Sequence, residues 1–226
     1  VTADLRSSPP VPSLRPIASR PARAAFRLAW LHAVSRQLPA ALGLQAALGA
    51  LLYVALLHHW SIAGGRGVQM LIPLTIETGA AAVIAVSTYG PFGDPERATG
   101  RWLPWLRLCA TLALTTAALG ALAEGATGGL LPGGTLGLLR YLAGTTGLGL
   151  LSAVVLGGAF GWVGPMAYLL ITEVALTGDA TTPWVWAARP PHDRGAAICA
   201  GLVFAVGVIA TSALGARNAG RRSGPQ

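Results

Sequence analysis

Five apolar runs, four of them about 20 residues long and one about twice that, all nearly empty of charge, govern everything this chain can become. A helix needs about 20 apolar residues to cross the roughly 30 Å hydrocarbon core of a bilayer, and the runs together hold six such lengths. They are read at Pro39–His58, Val68–Tyr89, Leu103–Ala123, two spans sharing Leu138–Leu176, and Ala196–Leu214. The shared stretch is too long for one crossing, so a tight turn is expected inside it. Gly157, Gly158, Gly161, Gly164 and Pro165 offer the places to make that turn. Charged residues make up 11% of the 226, against about 25% in a soluble domain. A water-facing surface cannot be covered with so few. The expected fold is therefore an all-α, polytopic membrane bundle of about six transmembrane helices.

The parts around the spans follow the same logic. Residues 1–20 are Pro- and Arg-rich with little to bury, and are expected to be disordered. Residues 21–37 set Phe26, Leu28, Trp30 and Leu31 among Arg23, Arg27 and Arg36, the pattern of an amphipathic helix on an anionic membrane face. They do not read as a cleaved signal peptide, because the apolar run begins late and no cleavage pattern follows. Residues 38–216 form the transmembrane domain, and 217–226 a short basic tail. His58–Trp60, Trp102, Trp105, Trp184 and Trp186 stand where headgroup anchors are expected.

Orientation follows from the arginines, the only basic residues apart from four histidines, since Lys is absent. With six spans, the N-terminal segment, the 90–107 loop and the tail share one side, and together they hold twelve of the sixteen arginines. Positive residues stay inside, so both termini are expected to be cytoplasmic at the cell membrane. A net charge of +8 invites a nucleic-acid reading, but the arginines cap apolar runs and build no basic stripe with interleaved aromatics. No nucleic-acid partner is expected. The lack of Lys also removes a phosphate-binding loop, so nucleotide hydrolysis would need another chain.

Little chemistry is written into the spans. The sequence has no H-E-x-x-H, no G-x-S-x-G and no acidic pair at metal spacing, so no enzyme activity, no cofactor and no metal are expected. Cys109 and Cys199 lie in apolar runs and are read as buried structural thiols. Ser87, Ser152 and Ser212 are expected to bond to nearby backbone. The candidate intramembrane polar residues are Glu77, deep in the second run, and Arg140 and Glu173 near the ends of the long one. A carboxylate in a span is costly, so Glu77 must face other helices or water, or be protonated. A transport role and a simple interhelical contact both remain open, as does a pairing of Glu77 with Arg140.

The loop after the second span reads GPFGDPERATGRWLPWLR, with Asp94, Glu96, Arg97 and Arg101 as its charges before the third span. The sequence Glu96-Arg97-Ala98-Thr99-Gly100 resembles the acidic–basic–Gly pattern with which ABC-2 type permease subunits of ABC transporters contact their ATPase. The stretch GGAFGWVGP at 157–165 is similar to that family's Gly- and Pro-containing fifth-span region, and 177–195 occupies the place of its outer re-entrant hairpin. The resemblance covers about residues 21–217 but departs in one respect, because the third span starts soon after Arg101 and leaves no long coupling helix. It implies an ATP-driven transport permease, a separate cytoplasmic ATPase docked on Asp94, Glu96, Arg97 and Arg101, and a homo- or heterodimer of permeases in the lipid bilayer. The alternative is a non-transporting membrane anchor or regulator acting through its basic N-terminal segment.

Overall fold

The computed structural model describes residues 38–58, 66–88, 103–131, 133–177 and 184–214. Six helices run through them: α1 (Leu38–Leu57), α2 (Arg66–Ser87), α3 (Leu103–Gly125), α4 (Gly134–Val155), α5 (Val163–Thr177) and α6 (Arg194–Leu214). No strand occurs among the described residues. Five segments are long and apolar enough to cross a membrane, and α2 adds a shorter apolar stretch, Leu71–Ser87. The chain is a multi-pass membrane protein, all-α in its described residues. The expected disordered tail, interfacial helix and basic tail all lie outside the described residues, as do His59, Trp60 and Trp102.

The long run divides as the sequence predicts. α4 ends at Val155, Gly157 turns the chain with φ 115°, and a single 3-10 turn at Gly158–Phe160 leads into α5. A positive φ of that size is costly for any residue carrying a Cβ, which is why glycine stands there. Gly164 and Pro165, read as part of the turn, instead lie in the first turn of α5. Proline is tolerated there because its missing N–H would have had no helical partner. The glycine-rich stretch 124–137 is shorter as a loop than its composition suggests. α3 continues to Gly125 and α4 begins at Gly134, so α4 gains a turn ahead of the expected Leu138.

α4 is the hub. It packs most extensively on α6, then on α2 and α5, with a smaller contact to α3. Of its apolar window 61% is buried, against 22–28% for the other long spans. That position explains its unusual composition. A helix that meets protein on most sides can carry Arg140, Tyr141, Thr145 and Thr146, all buried, where a lipid-facing helix could not. Its glycines point in different directions and let different partners approach. A Cβ on Gly147 would sit 2.5 Å from the Val203 carbonyl oxygen on α6, and one on Gly149 would sit 2.8 Å from Ala85 Cβ on α2. Gly144 is covered by the indole of Trp186. Lipid gives helices no hydrophobic reason to associate, so such close backbone approach supplies much of the attraction.

A second crossing joins α1 to α3, where Gly49 lies against the backbone of Ala121 and Gly125 against that of Gly49. Leu52, Ile84, Leu114, Ala118, Leu122 and Leu142 fill the space between α1, α2, α3 and α4. The outer faces are apolar too, with Leu42, Leu44 and Leu51 on α1 and Ile198, Leu202, Val206 and Ile209 on α6 exposed, as suits lipid contact. Cys109 belongs to this exposed surface of α3, which corrects the reading of it as buried; Cys199 is half-buried. Thiols are compatible with either setting, so an apolar run alone did not decide the face.

Candidate functional site

Glu77, Arg140 and Tyr141 line one cavity of about 310 Å³, walled by α2, α4, the end of α5 and the segment 187–191. α2 contributes Pro73, Leu74 and Glu77, and α4 contributes Leu138, Arg140 and Tyr141. Glu77 is 3% exposed, and its Oε2 has no hydrogen-bond partner. Pro73 lies one turn before it and removes a backbone donor from the helix on that wall. Two threonines close the same stretch internally, Thr75 Oγ1 donating to the Leu71 carbonyl at 2.7 Å and Thr78 Oγ1 to the Leu74 carbonyl at 2.6 Å.

Thr78 also ties α2 to α4. Its hydroxyl oxygen lies 2.9 Å from Tyr141 Oη. Because the Thr78 proton is directed at Leu74, Tyr141 is the donor of that bond. Tyr141 then meets Tyr168 of α5, with ring centroids 6.0 Å apart and the planes tilted by 48°. Tyr168 stacks on Trp186 at 4.2 Å. One polar-to-aromatic chain therefore runs from α2 through α4 and α5 into the segment before α6. Elsewhere, Gln45 on α1 donates from Nε2 to the Ala80 carbonyl at 2.9 Å, fastening α1 to α2.

Arg140 holds the opposite wall. Its Nη1 donates to the Pro190 carbonyl and its Nη2 to the Arg189 carbonyl, both at 2.8 Å. The sequence Arg189-Pro190-Pro191 accounts for this arrangement. Proline has no N–H, so Pro190 and Pro191 offer no backbone donors here, and although the Pro190 carbonyl accepts from the Asp193 N–H at 3.0 Å, it keeps a lone pair for the guanidinium. A planar guanidinium supplies two parallel donors to two consecutive carbonyls. Trp186, read from sequence as an interfacial anchor, is instead 3% exposed and packed inside, whereas Trp184 is 50% exposed. The reason is the gap left at Gly144, which accepts a large ring.

Of the expected polar residues, Glu77 and Arg140 share the cavity but form no ion pair; Glu173, half-buried on α5, is not part of its wall. Asp94, Glu96, Arg97 and Arg101 lie outside the described residues. Ser87 and Ser152 bond to the carbonyls of Val83 and Leu148 as anticipated. Sequence reasoning missed Tyr141, Thr78 and Gln45. Gln45 gave the same signal as Glu77, an amide alone in an apolar run; Tyr141 could have been noticed as the neighbour of an intramembrane arginine.

No protein-family model matches the chain, and no similar curated protein or solved structure is found. The geometry of the cavity is thus the main guide to function.

Beside the cavity, Asp193 starts α6. Its Oδ1 accepts from the Ala196 N–H at 3.1 Å, an N-cap bond, and its Oδ2 accepts from Arg189 Nε at 2.7 Å. The Ala196 amide first, and the Arg189 guanidinium beside it, hold this carboxyl below its ordinary value of 3.8. A carboxyl depressed on folding stabilises the fold above its unfolded value and loses that effect as pH falls through the folded one. The stability gap between the native chain and Asp193→Ala, followed by thermal unfolding in detergent, is therefore expected to be constant near neutrality. It should shrink once pH drops below about 4. A gap independent of pH down to 3 would remove the carboxylate from this role.

Proposed function

We propose that the chain is the permease subunit of an ATP-driven transporter of the ABC-2 type, working with a separate cytoplasmic ATPase. The observation that carries the reading is the cavity: Glu77 and Arg140, two buried ionisable residues of the membrane domain, line a hollow at one end of the bundle without pairing with each other. The six helices among the described residues, five long enough to span and α2 shorter, are compatible with the accompanying topology. Both termini and the 90–107 loop then share the side that holds twelve of sixteen arginines, the cytoplasmic face of the cell membrane. Arg140, Arg189 and Arg194 fall on the other side, so the cavity opens away from the ATPase. In this reading the chain catalyses nothing itself. ATP hydrolysis by the partner moves the helices, through Asp94, Glu96, Arg97 and Arg101, and a second permease copy, identical or related, completes the pathway.

The test is an affinity pull-down of the tagged full chain from native membranes in mild detergent, with mass spectrometry of what is retained. The expected result is one soluble ATPase carrying a phosphate-binding loop, lost when Glu96 and Arg97 are both changed to Ala. Recovery of a folded chain with no ATPase would reject the permease and leave the membrane anchor in its place.

A further inference from the structure

Glu77 and Arg140 present a physical problem that the fold alone does not solve. One is an acid and the other a base; they line the same cavity and are both nearly closed to solvent, at 3% and 7% exposed. Burying an ionisable group is costly unless it is paired, and an acid and a base in one hollow would be expected to meet. They do not. Arg140 is held away by the carbonyls of Arg189 and Pro190, which accept its hydrogen bonds without cancelling its charge, and its Nε is unpartnered. Glu77 keeps Oε2 without any donor. The nearby carboxylate Asp193 is already engaged with Arg189 and the start of α6. The site thus holds one carboxyl group and one guanidinium, kept apart beside about 310 Å³ of space.

We propose that this cavity binds a small zwitterion, its ammonium group against Glu77 and its anionic group against Arg140. The ligand ammonium gives Glu77 both a counter-charge and a donor for Oε2. The ligand anion gives Arg140 the negative charge that its two carbonyl partners lack, through charge-assisted bonds stronger than neutral ones. Tyr141, Leu74 and Leu138 supply an apolar side that accommodates a short side chain. The volume lies at the lower end for small-molecule sites and admits a molecule of amino-acid to dipeptide size. The same pair of charges occurs on a free amino acid or dipeptide and on the ethanolamine phosphate headgroup of a membrane lipid. A role for such a ligand as cargo rests on the permease reading; its binding does not, and binding is what is measured.

The full chain, purified without any ATPase, is placed in nanodiscs of phosphatidylglycerol, a lipid with no ammonium group. L-Leucine and L-alanyl-L-leucine are titrated by calorimetry. In a parallel arm, phosphatidylethanolamine is added to the discs and retained lipid is read by native mass spectrometry. Saturable binding in the first arm identifies a free zwitterion as the source, and selective retention in the second identifies the headgroup. In whichever arm binds, Glu77→Gln, close in shape and uncharged, should weaken binding by about tenfold or more. N-acetyl-L-leucine and L-leucine methyl ester, which lack one charge each, should lose as much in the first arm. The ester tests the Arg140 end without altering the protein. Failure of all three zwitterions to bind a chain that elutes as a folded species overturns the assignment, as does equal binding by Glu77→Gln.

Discussion

Gly147→Leu should abolish the folded bundle, and even Gly147→Ala should lower its stability by about 2–3 kcal/mol. The α4–α6 crossing places two helix backbones in direct contact at this residue. A Cβ there would lie 2.5 Å from the Val203 carbonyl oxygen and 2.6 Å from the Phe204 nitrogen. Neither neighbour is a side chain that could rotate aside, so the helices themselves must part. The contact is reciprocal, since a Cβ on Gly207 would approach the Gly147 carbonyl oxygen at 2.6 Å. Separating the helices also forfeits the dispersion contacts on either side of the crossing, which in lipid are most of what joins them. The control is Gly201→Ala on α6, where a Cβ meets nothing within 4 Å. That change should be neutral or stabilising by up to about 1 kcal/mol through helix propensity. Thermal midpoints in detergent, read by circular dichroism and by survival on size exclusion, should therefore move in opposite directions. Equal midpoints for the two alanine variants would mean that the crossing is not held by this contact.

The contrast between Gly147 and Gly201 also shows where sequence reading stops. Both lie in apolar runs rich in small residues, and nothing local separates the glycine facing a helix from the one facing outward. The spans themselves were legible because length and polarity act residue by residue: Leu38–Leu57 and Arg194–Leu214 differ from their expected bounds by one or two positions. The turn at Gly157 was legible for the same reason, since a break in a long apolar run needs a residue free to take positive φ. Glu77 was legible as an expensive residue awaiting a reason. What could not be read was which costly groups share a space. The joint cavity of Glu77 and Arg140 depends on α2 and α4 lying side by side, and apolar helices carry no marker of their neighbours. Trp186 misled in an instructive way. An indole near a span end usually belongs at the headgroups, and only the gap at Gly144, some forty residues earlier in the chain, draws it inside.

Arg140→Met should release the segment before α6 while leaving the six helices in place. Two charge-assisted bonds, to the carbonyls of Arg189 and Pro190, are lost together. At about 1.5 kcal/mol each they amount to roughly 3 kcal/mol, or about a hundredfold in the opening equilibrium of the segment. Methionine matches the length and packing of the arginine stem, so the effect isolates the hydrogen bonds from lost volume. Hydrogen exchange of the amides at 185–189 should accelerate by about that factor. Trp186 should move towards a wetter environment, seen as a red shift in its fluorescence, as its hold on Gly144 and Tyr168 weakens. Arg140→Lys restores a cation but not the planar pair of donors, and should recover one bond and about half of the lost protection. Exchange in α1 and α3 provides the internal reference, because neither packs on this segment through Arg140. If Arg140→Met left the exchange of 185–189 unchanged with the bundle folded, the segment would be held by Trp186 packing alone. The guanidinium would then have no latch to form, and its burial would have to be explained wholly by what the cavity binds.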